Sequence, residues 1–149
     1  MTRIAGLLGA TLLLAAPVFA HVTVKPGESP LGSTEKYTFR VPSEGGMTTT
    51  AVTLDVPDGV TIVSVEAPAG ARHEETRQGD RVVSITWTIE IKAGAFAELS
   101  LTAMNPPAGP EISWHVHQVY SDGMKSDWTG GAGTRTPAPV TKLATKGAN

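Results

Sequence analysis

The chain has 149 residues, a net charge of −2, no cysteine and only 17% charged residues. This length suits a single domain with one core. The lack of cysteine excludes disulfides, thiolate zinc sites, cysteine nucleophiles and a lipid anchor on cysteine. Because the sequence has no basic stripe or lysine-rich arm, nucleic acid is not an expected partner.

The first 20 residues have the pattern of a secretory signal peptide. Arg3 supplies the positive charge, residues 4–16 are an apolar run, and Val18 and Ala20 occupy the small-residue positions before the cleavage site. The run is short for a transmembrane helix, which needs about 20 apolar residues. We expect cleavage between Ala20 and His21 and a mature protein that is periplasmic or secreted. No second long apolar segment follows, so no membrane anchor is expected in the mature protein.

After the signal peptide, short stretches of alternating apolar and polar residues are separated by turns rich in Gly and Pro. Tyr37, Phe39 and Val41 alternate with polar neighbours, which is typical of a strand with one buried face. The pattern recurs in "TTAVTLDVP", "RVVSITWTIEI" and "EISWHVHQVY". The sequence therefore predicts an all-β fold, an immunoglobulin-like antiparallel β-sandwich of about eight strands at a spacing of roughly 8–12 residues.

The predicted sandwich spans residues 21–130. From residue 131 to residue 149 the chain becomes rich in Gly, Thr and Pro and contains few apolar residues. Such a composition provides little surface to bury, so residues 131–149 are predicted to form a flexible tail.

His21 becomes a different ligand once the signal peptide is removed. As the first residue it carries a free α-amino group, and this amine and the ring Nδ1 can chelate one metal ion. Amines of this kind and imidazoles release their protons near neutral pH, so a metal displaces them readily. Two nitrogen donors suit Cu(II), which prefers tetragonal N and O coordination. A histidine can also follow a cleavage site by chance, so His21 alone leaves the function open.

A second pair of candidate metal ligands, His115 and His117, lies in the sequence "HVH". Residues i and i+2 of a strand project from the same face, and such pairs occur in metal sites. With Trp114 and Val116 in the core, both histidines lie on the solvent side. No carboxylate motif is adjacent, so the pair is interpreted as incidental, and a weak second metal site is the alternative. His73, in a polar segment, is interpreted as a solvated loop residue.

The sequence contains no cluster of methionines that would select Cu(I), because Met47, Met104 and Met124 are scattered. A copper site in this chain should therefore favour Cu(2+). Motifs for common enzymes are also missing, since there is no nucleophile elbow, no H-E-x-x-H and no phosphate-binding glycine loop.

Six motifs are spread from His21 to about Gly130: "AHVTVKP", "EKYTFRVP", "TTAVTLDVP", "ITWT", "TAMNPP" and "VYSDGMKSDWTG". Together they resemble the YcnI-like family of exported bacterial copper-binding domains. The most specific of them are His21 after the cleavage site, Glu35 fourteen residues later, and the acidic-Trp-Thr-Gly sequence around Trp128.

The resemblance implies that Cu(II) is held in a single-histidine brace. His21 would provide the terminal amine and a ring nitrogen, Glu35 a carboxylate, and Trp128 a ring over the metal. Without the resemblance, Glu35 is interpreted as a solvated charge at a strand end, and Trp128 is equally a core or edge residue that packs against "ITWT".

The expected function is Cu(II) binding in copper homeostasis, through sequestration, chaperoning or delivery to an exported or membrane copper-handling protein, without enzymatic activity. One alternative is a copper-dependent oxidase or monooxygenase, in which His115 or His117 would have to complete the metal site. Exposed aromatic residues are too few for a polysaccharide-binding surface. The other alternative is a metal-free structural sandwich in which His21 has no role.

Overall fold

The computed structural model describes residues 20–145 and 147 of the chain. Apart from Ala20, the predicted signal peptide lies outside these residues. Within them the chain is all-β and forms twelve strands without a helix, so this part has no helix that could cross a membrane. The strands are β1 (Thr23–Lys25), β2 (Glu28–Pro30), β3 (Thr34–Pro42), β4 (Thr49–Asp55), β5 (Thr61–Val65), β6 (Arg72–Gln78), β7 (Arg81–Ile91), β8 (Phe96–Met104), β9 (Glu111–Ser113), β10 (His115–Tyr120), β11 (Lys125–Trp128) and β12 (Val140–Ala144).

Two larger sheets and one smaller sheet account for these strands. The larger sheets have the orders β1-β3-β8-β5 and β11-β10-β4-β7-β6, and their strand pairs are antiparallel. The smaller sheet has the order β2-β12-β9, in which β12 is parallel to β2. The all-β prediction is confirmed. The described residues have more strands than expected because three-residue strands such as β2 and β9 are too short to show an alternating pattern.

One core joins the two larger sheets. Tyr37, Phe39 and Val41 of β3 are at most 2% exposed, as their alternation predicts. Val52 and Leu54 of β4, in the other sheet, belong to the same cluster of buried residues. Burial of each such side chain contributes roughly 1.5–3 kcal/mol, so the inner faces of the strands hold the two sheets together.

The segment after residue 130 is more ordered than its composition predicts. The prediction of a flexible tail over residues 131–149 is corrected for residues 140–144, which form β12. Thr141 is fully buried, and its Oγ1 accepts a hydrogen bond from Trp114 Nε1 (3.2 Å) and donates one to the Pro26 carbonyl (3.0 Å). Strand pairing and these two hydrogen bonds stabilise the segment, and neither is visible as an apolar pattern.

We predict that Thr141→Val lowers the free energy of unfolding by about 1–3 kcal/mol, because it leaves the buried Trp114 N–H without its acceptor. Chemical denaturation followed by tryptophan fluorescence measures this change. The matched control is Thr145→Val at an exposed position beyond β12, which should change the free energy by no more than about 0.5 kcal/mol. Equal effects of the two substitutions would contradict a structural role for β12.

Candidate metal site at the start of the first strand

The pairing of β1 with β3 fixes the position of His21. The two strands are antiparallel, and Thr23 lies opposite Arg40. Continuing this register by two residues brings His21 beside Pro42, where β3 ends. Val22 is only 2% exposed and anchors the start of the strand in the core, whereas His21 is exposed. His21 therefore lies at the end of the sandwich where β1 begins and β3 ends.

Trp128, the last residue of β11, lies next to His21. Its ring centroid is 6.1 Å from that of the His21 ring, with 59° between the ring planes. The indole is only 5% exposed, and its strand belongs to the five-stranded sheet, whereas β1 belongs to the four-stranded sheet. The contact therefore spans the two sheets, and one side of the imidazole faces a buried indole instead of water.

Glu35 does not lie near His21. It stands at the start of β3, paired with Ala103 and seven residues before Pro42. At about 3.3 Å per residue, this is roughly 20 Å from the end of β3, whereas a metal ligand must come within about 2 Å of the ion. Glu35 Oε2 instead accepts a hydrogen bond from Ser29 Oγ (3.0 Å). The expected meeting of Glu35 and His21 is thus corrected, because antiparallel pairing places the start of one strand beside the end of the other.

Glu44 is the carboxylate beside Ala20, the residue that precedes His21. The backbone N–H of Ala20 donates a hydrogen bond to Glu44 Oε1. Gly45 and Gly46 follow with φ angles of 71° and 74°, a conformation that glycine adopts without steric cost. The chain can therefore turn directly after Glu44. The sequence motifs did not predict Glu44 as a site residue, although "PSEGGM" has an acidic residue before a Gly-Gly turn at the end of an alternating strand.

An open cleft of about 680 Å³ borders this end of the sandwich. Ala20, Arg40, Glu44 and Phe96 are among the residues that line it. Phe96 is 51% exposed, and the Arg40 guanidinium carbon lies 3.7 Å from its ring centroid. The region around Glu44 is consequently accessible to solvent and to small ligands.

A separate cluster of ionisable residues joins three strands of the five-stranded sheet. His117 on β10 has its Nδ1 2.7 Å from Asp127 Oδ1 on β11 and its Nε2 2.8 Å from Asp55 Oδ2 on β4. Both carboxylates are hydrogen-bond acceptors, so two such contacts require a proton on each ring nitrogen. This arrangement fits a protonated imidazole that cross-links β4, β10 and β11.

The "HVH" pair shows the predicted division of faces. Trp114 and Val116 are buried, whereas His115 is exposed and His117 is partly exposed. Among residues 20–145 and 147, no group of three or more His, Cys, Asp or Glu side chains is placed to hold a metal ion.

His73 lies within β6 and is partly exposed, so it is a strand residue and not the predicted loop residue.

The surroundings of His117 raise its pKa above the ordinary value of 6.5. Partial burial lowers this pKa, but the hydrogen bonds and negative charges of Asp127 and Asp55 together outweigh the burial. A group whose pKa is higher in the folded state stabilises the fold while it is protonated. The contribution is complete below the unfolded-state pKa and is lost as the pH rises through the folded-state pKa.

We predict that the stability difference between the wild type and His117→Asn is largest at mildly acidic pH. It should shrink as the pH rises from about 5.5 through the ordinary histidine pKa of about 6.5 and then through the higher folded-state pKa, because the wild type then loses the charge that bonds both carboxylates. Urea unfolding of both proteins across this range measures the difference. His115→Asn, which leaves the three-strand cluster intact, is the control. A stability difference that is independent of pH would rule out the charged cross-link.

Known proteins resemble this chain in sequence and in structure, and they identify its family. Residues 21–143 match the family described as "Domain of unknown function (DUF1775)". The chain is 36% identical over 146 residues to the Copper-binding protein CutI of Bacillus subtilis (strain 168). The aligned region covers 96% of this chain and 72% of that protein. A crystal structure of an uncharacterized protein from Nocardia farcinica, described as revealing an immunoglobulin-like fold, matches with a TM-score of 0.74 and 31% identity over 84% of this chain and 99% of that chain. The sandwich is thus immunoglobulin-like, and the chain belongs to the DUF1775 family, the YcnI-like family that its motifs resemble.

Proposed function

We propose that this chain is an exported Cu(II)-binding protein that acts in copper homeostasis, by sequestration, chaperoning or delivery of the ion. The observation that carries the proposal is the proximity of His21 to Trp128, with Glu44 beside the adjoining residue. The relative from Bacillus subtilis is named a copper-binding protein, which supports copper as the ion. That name and the immunoglobulin-like fold also support a binding protein over an enzyme.

Signal-peptide cleavage between Ala20 and His21 creates one of the two nitrogen donors. In the chain described above, the backbone nitrogen of His21 belongs to a peptide bond and cannot act as an amine. After cleavage it becomes a primary amine that chelates an ion together with the imidazole. Two nitrogen donors complemented by oxygen suit Cu(II), which stands at the top of the affinity order for divalent metals.

Glu44 takes the place that the resemblance gave to Glu35. Its Oε1 accepts a hydrogen bond from the N–H of Ala20, and consecutive Cα atoms are only about 3.8 Å apart. The new amine of His21 therefore forms close to this carboxylate. An anionic oxygen in the donor set offsets part of the charge of Cu(II), and such ligands are common in tetragonal N and O sites.

Trp128 has a covering role and does not coordinate the ion. The indole N–H is a donor only and offers no lone pair to a metal. As a buried ring beside the imidazole, it limits the approach of water from the core side. The cleft beside Glu44 leaves another side open, and an exported or membrane copper-handling protein would receive or supply the ion there.

The two glutamates near the ends of β3 provide a matched test in protein that begins at His21. We expect Cu(II) to bind with a stoichiometry near 1:1. Glu44→Gln should weaken binding by at least about tenfold, since even residues that only orient metal ligands change affinity by 10–100-fold. Glu35→Gln should leave the affinity unchanged. Titration against a competing chelator, followed by EPR, measures both. Weakening by Glu35→Gln alone would overturn the assignment of Glu44.

The amine has its own test. Retaining Ala20 in front of His21, or acetylating the amine, removes one nitrogen donor and should weaken Cu(II) binding severely. Unchanged affinity would exclude the brace. Two other results would favour a different function. Failure to retain copper after dialysis against a chelator favours a metal-free structural domain. Sustained copper-dependent turnover above that of free copper favours an oxidase.

A further inference from the structure

Gln118 is a fully buried polar residue in the core of the sandwich. It lies on β10 with 0% exposure, two residues after the buried Val116. Burying an amide costs free energy unless its polar atoms are hydrogen-bonded. The partners of this amide therefore indicate why a glutamine occupies the position.

All three partners of Gln118 lie near the proposed copper site. Its Nε2 donates to the Pro42 carbonyl (2.7 Å) and to Thr49 Oγ1 (2.6 Å). Its Oε1 accepts a hydrogen bond from Trp128 Nε1 (3.1 Å). The two donors and the acceptor are each used, so the amide has one satisfied orientation.

Pro42 and Thr49 bracket the loop that carries Glu44, because β3 ends at the first and β4 begins at the second. The loop is also closed on itself. Ser43 Oγ donates to the Met47 carbonyl (2.7 Å) and accepts from the Thr49 backbone N–H (3.0 Å). One buried amide is thus bonded to both ends of the Glu44 loop and to the indole beside His21.

We infer that Gln118 is a positioning residue of the copper site: it holds the Trp128 ring and the Glu44 loop at a fixed separation around the mature N-terminus. This inference rests on the proposed function. Gln118 itself does not coordinate the ion. It restricts the rotation of the indole and the movement of the loop, so that the carboxylate and the covering ring already stand in place when the amine and imidazole bind.

Asn105 provides a control for a purely structural role. It is also a buried amide, 2% exposed, and it bonds Ser29 Oγ (2.9 Å), the Pro30 carbonyl (2.8 Å) and Tyr37 Oη (2.5 Å). These partners lie around the start of β3, at the other end of that strand from Glu44. Loss of either amide should destabilise the fold, but only loss of Gln118 should change the copper site.

The experiment compares Gln118→Met with Asn105→Leu in protein that begins at His21. Both substitutions replace the amide with an apolar side chain of similar size and remove its hydrogen bonds, so both should lower the melting temperature. We expect Gln118→Met alone to change the Cu(II) EPR spectrum, to alter tryptophan quenching by copper, and to lower the affinity by about tenfold, as for other residues that orient ligands. A folded Gln118→Met protein with the wild-type EPR spectrum and affinity overturns the inference.

Thr49→Val keeps the test decisive if Gln118→Met does not fold. It preserves the shape of the side chain and removes one acceptor of the Gln118 amide, so a smaller EPR change in the same direction is expected. Its control is Thr53→Val on the same strand, whose hydroxyl bonds Thr86 Oγ1 (2.9 Å). An unchanged EPR spectrum in Thr49→Val overturns the inference. Absence of Cu(II) binding by the wild type overturns the proposed function and this inference together, whereas wild-type binding with unaffected variants overturns the inference alone.

Discussion

The antiparallel pairing of β1 with β3 is the constraint on which the candidate site depends. It sets His21 beside the end of a nine-residue strand, and thereby places it closer to Glu44 than to Glu35. Val22 and Val24 maintain this pairing from the core side, since both are at most 9% exposed. A shift of one residue would exchange the inner and outer faces of the strand and would turn His21 toward the core.

The other parts of the site come from the opposite sheet, so its geometry depends on how the two sheets pack. Trp128 and Gln118 belong to β11 and β10, and their hydrogen bond joins neighbouring strands of one sheet. The bond from Gln118 to the Pro42 carbonyl crosses to the other sheet. Directional polar contacts within an apolar core favour one relative placement of the sheets, which apolar packing alone specifies less sharply.

Much of the fold could be predicted from local sequence, because period-two alternation depends only on neighbouring residues. The buried faces of β3, β4 and β10 follow this rule, and the approach of Trp128 to His21 follows the family resemblance. The predictions that failed concerned residues that are far apart in the sequence and meet only through strand pairing. Glu35 lies at the start of β3 and Glu44 just beyond its end, and only the direction of pairing distinguishes them. Asp55 and Asp127 reach His117 through strand pairs that no short motif reveals. β12 was missed because backbone pairing and one buried threonine stabilise it.

The hydrogen bond between the Ala20 N–H and Glu44 has a consequence for timing. While residue 20 is still attached, the carboxylate is occupied by a peptide N–H, and the neighbouring nitrogen of His21 is locked in an amide. In the proposed scheme the precursor is thus a poor copper ligand during its synthesis. Hydrolysis of one peptide bond releases the nitrogen and the oxygen in a single irreversible event. In that scheme cleavage is the step that makes the chain able to bind copper.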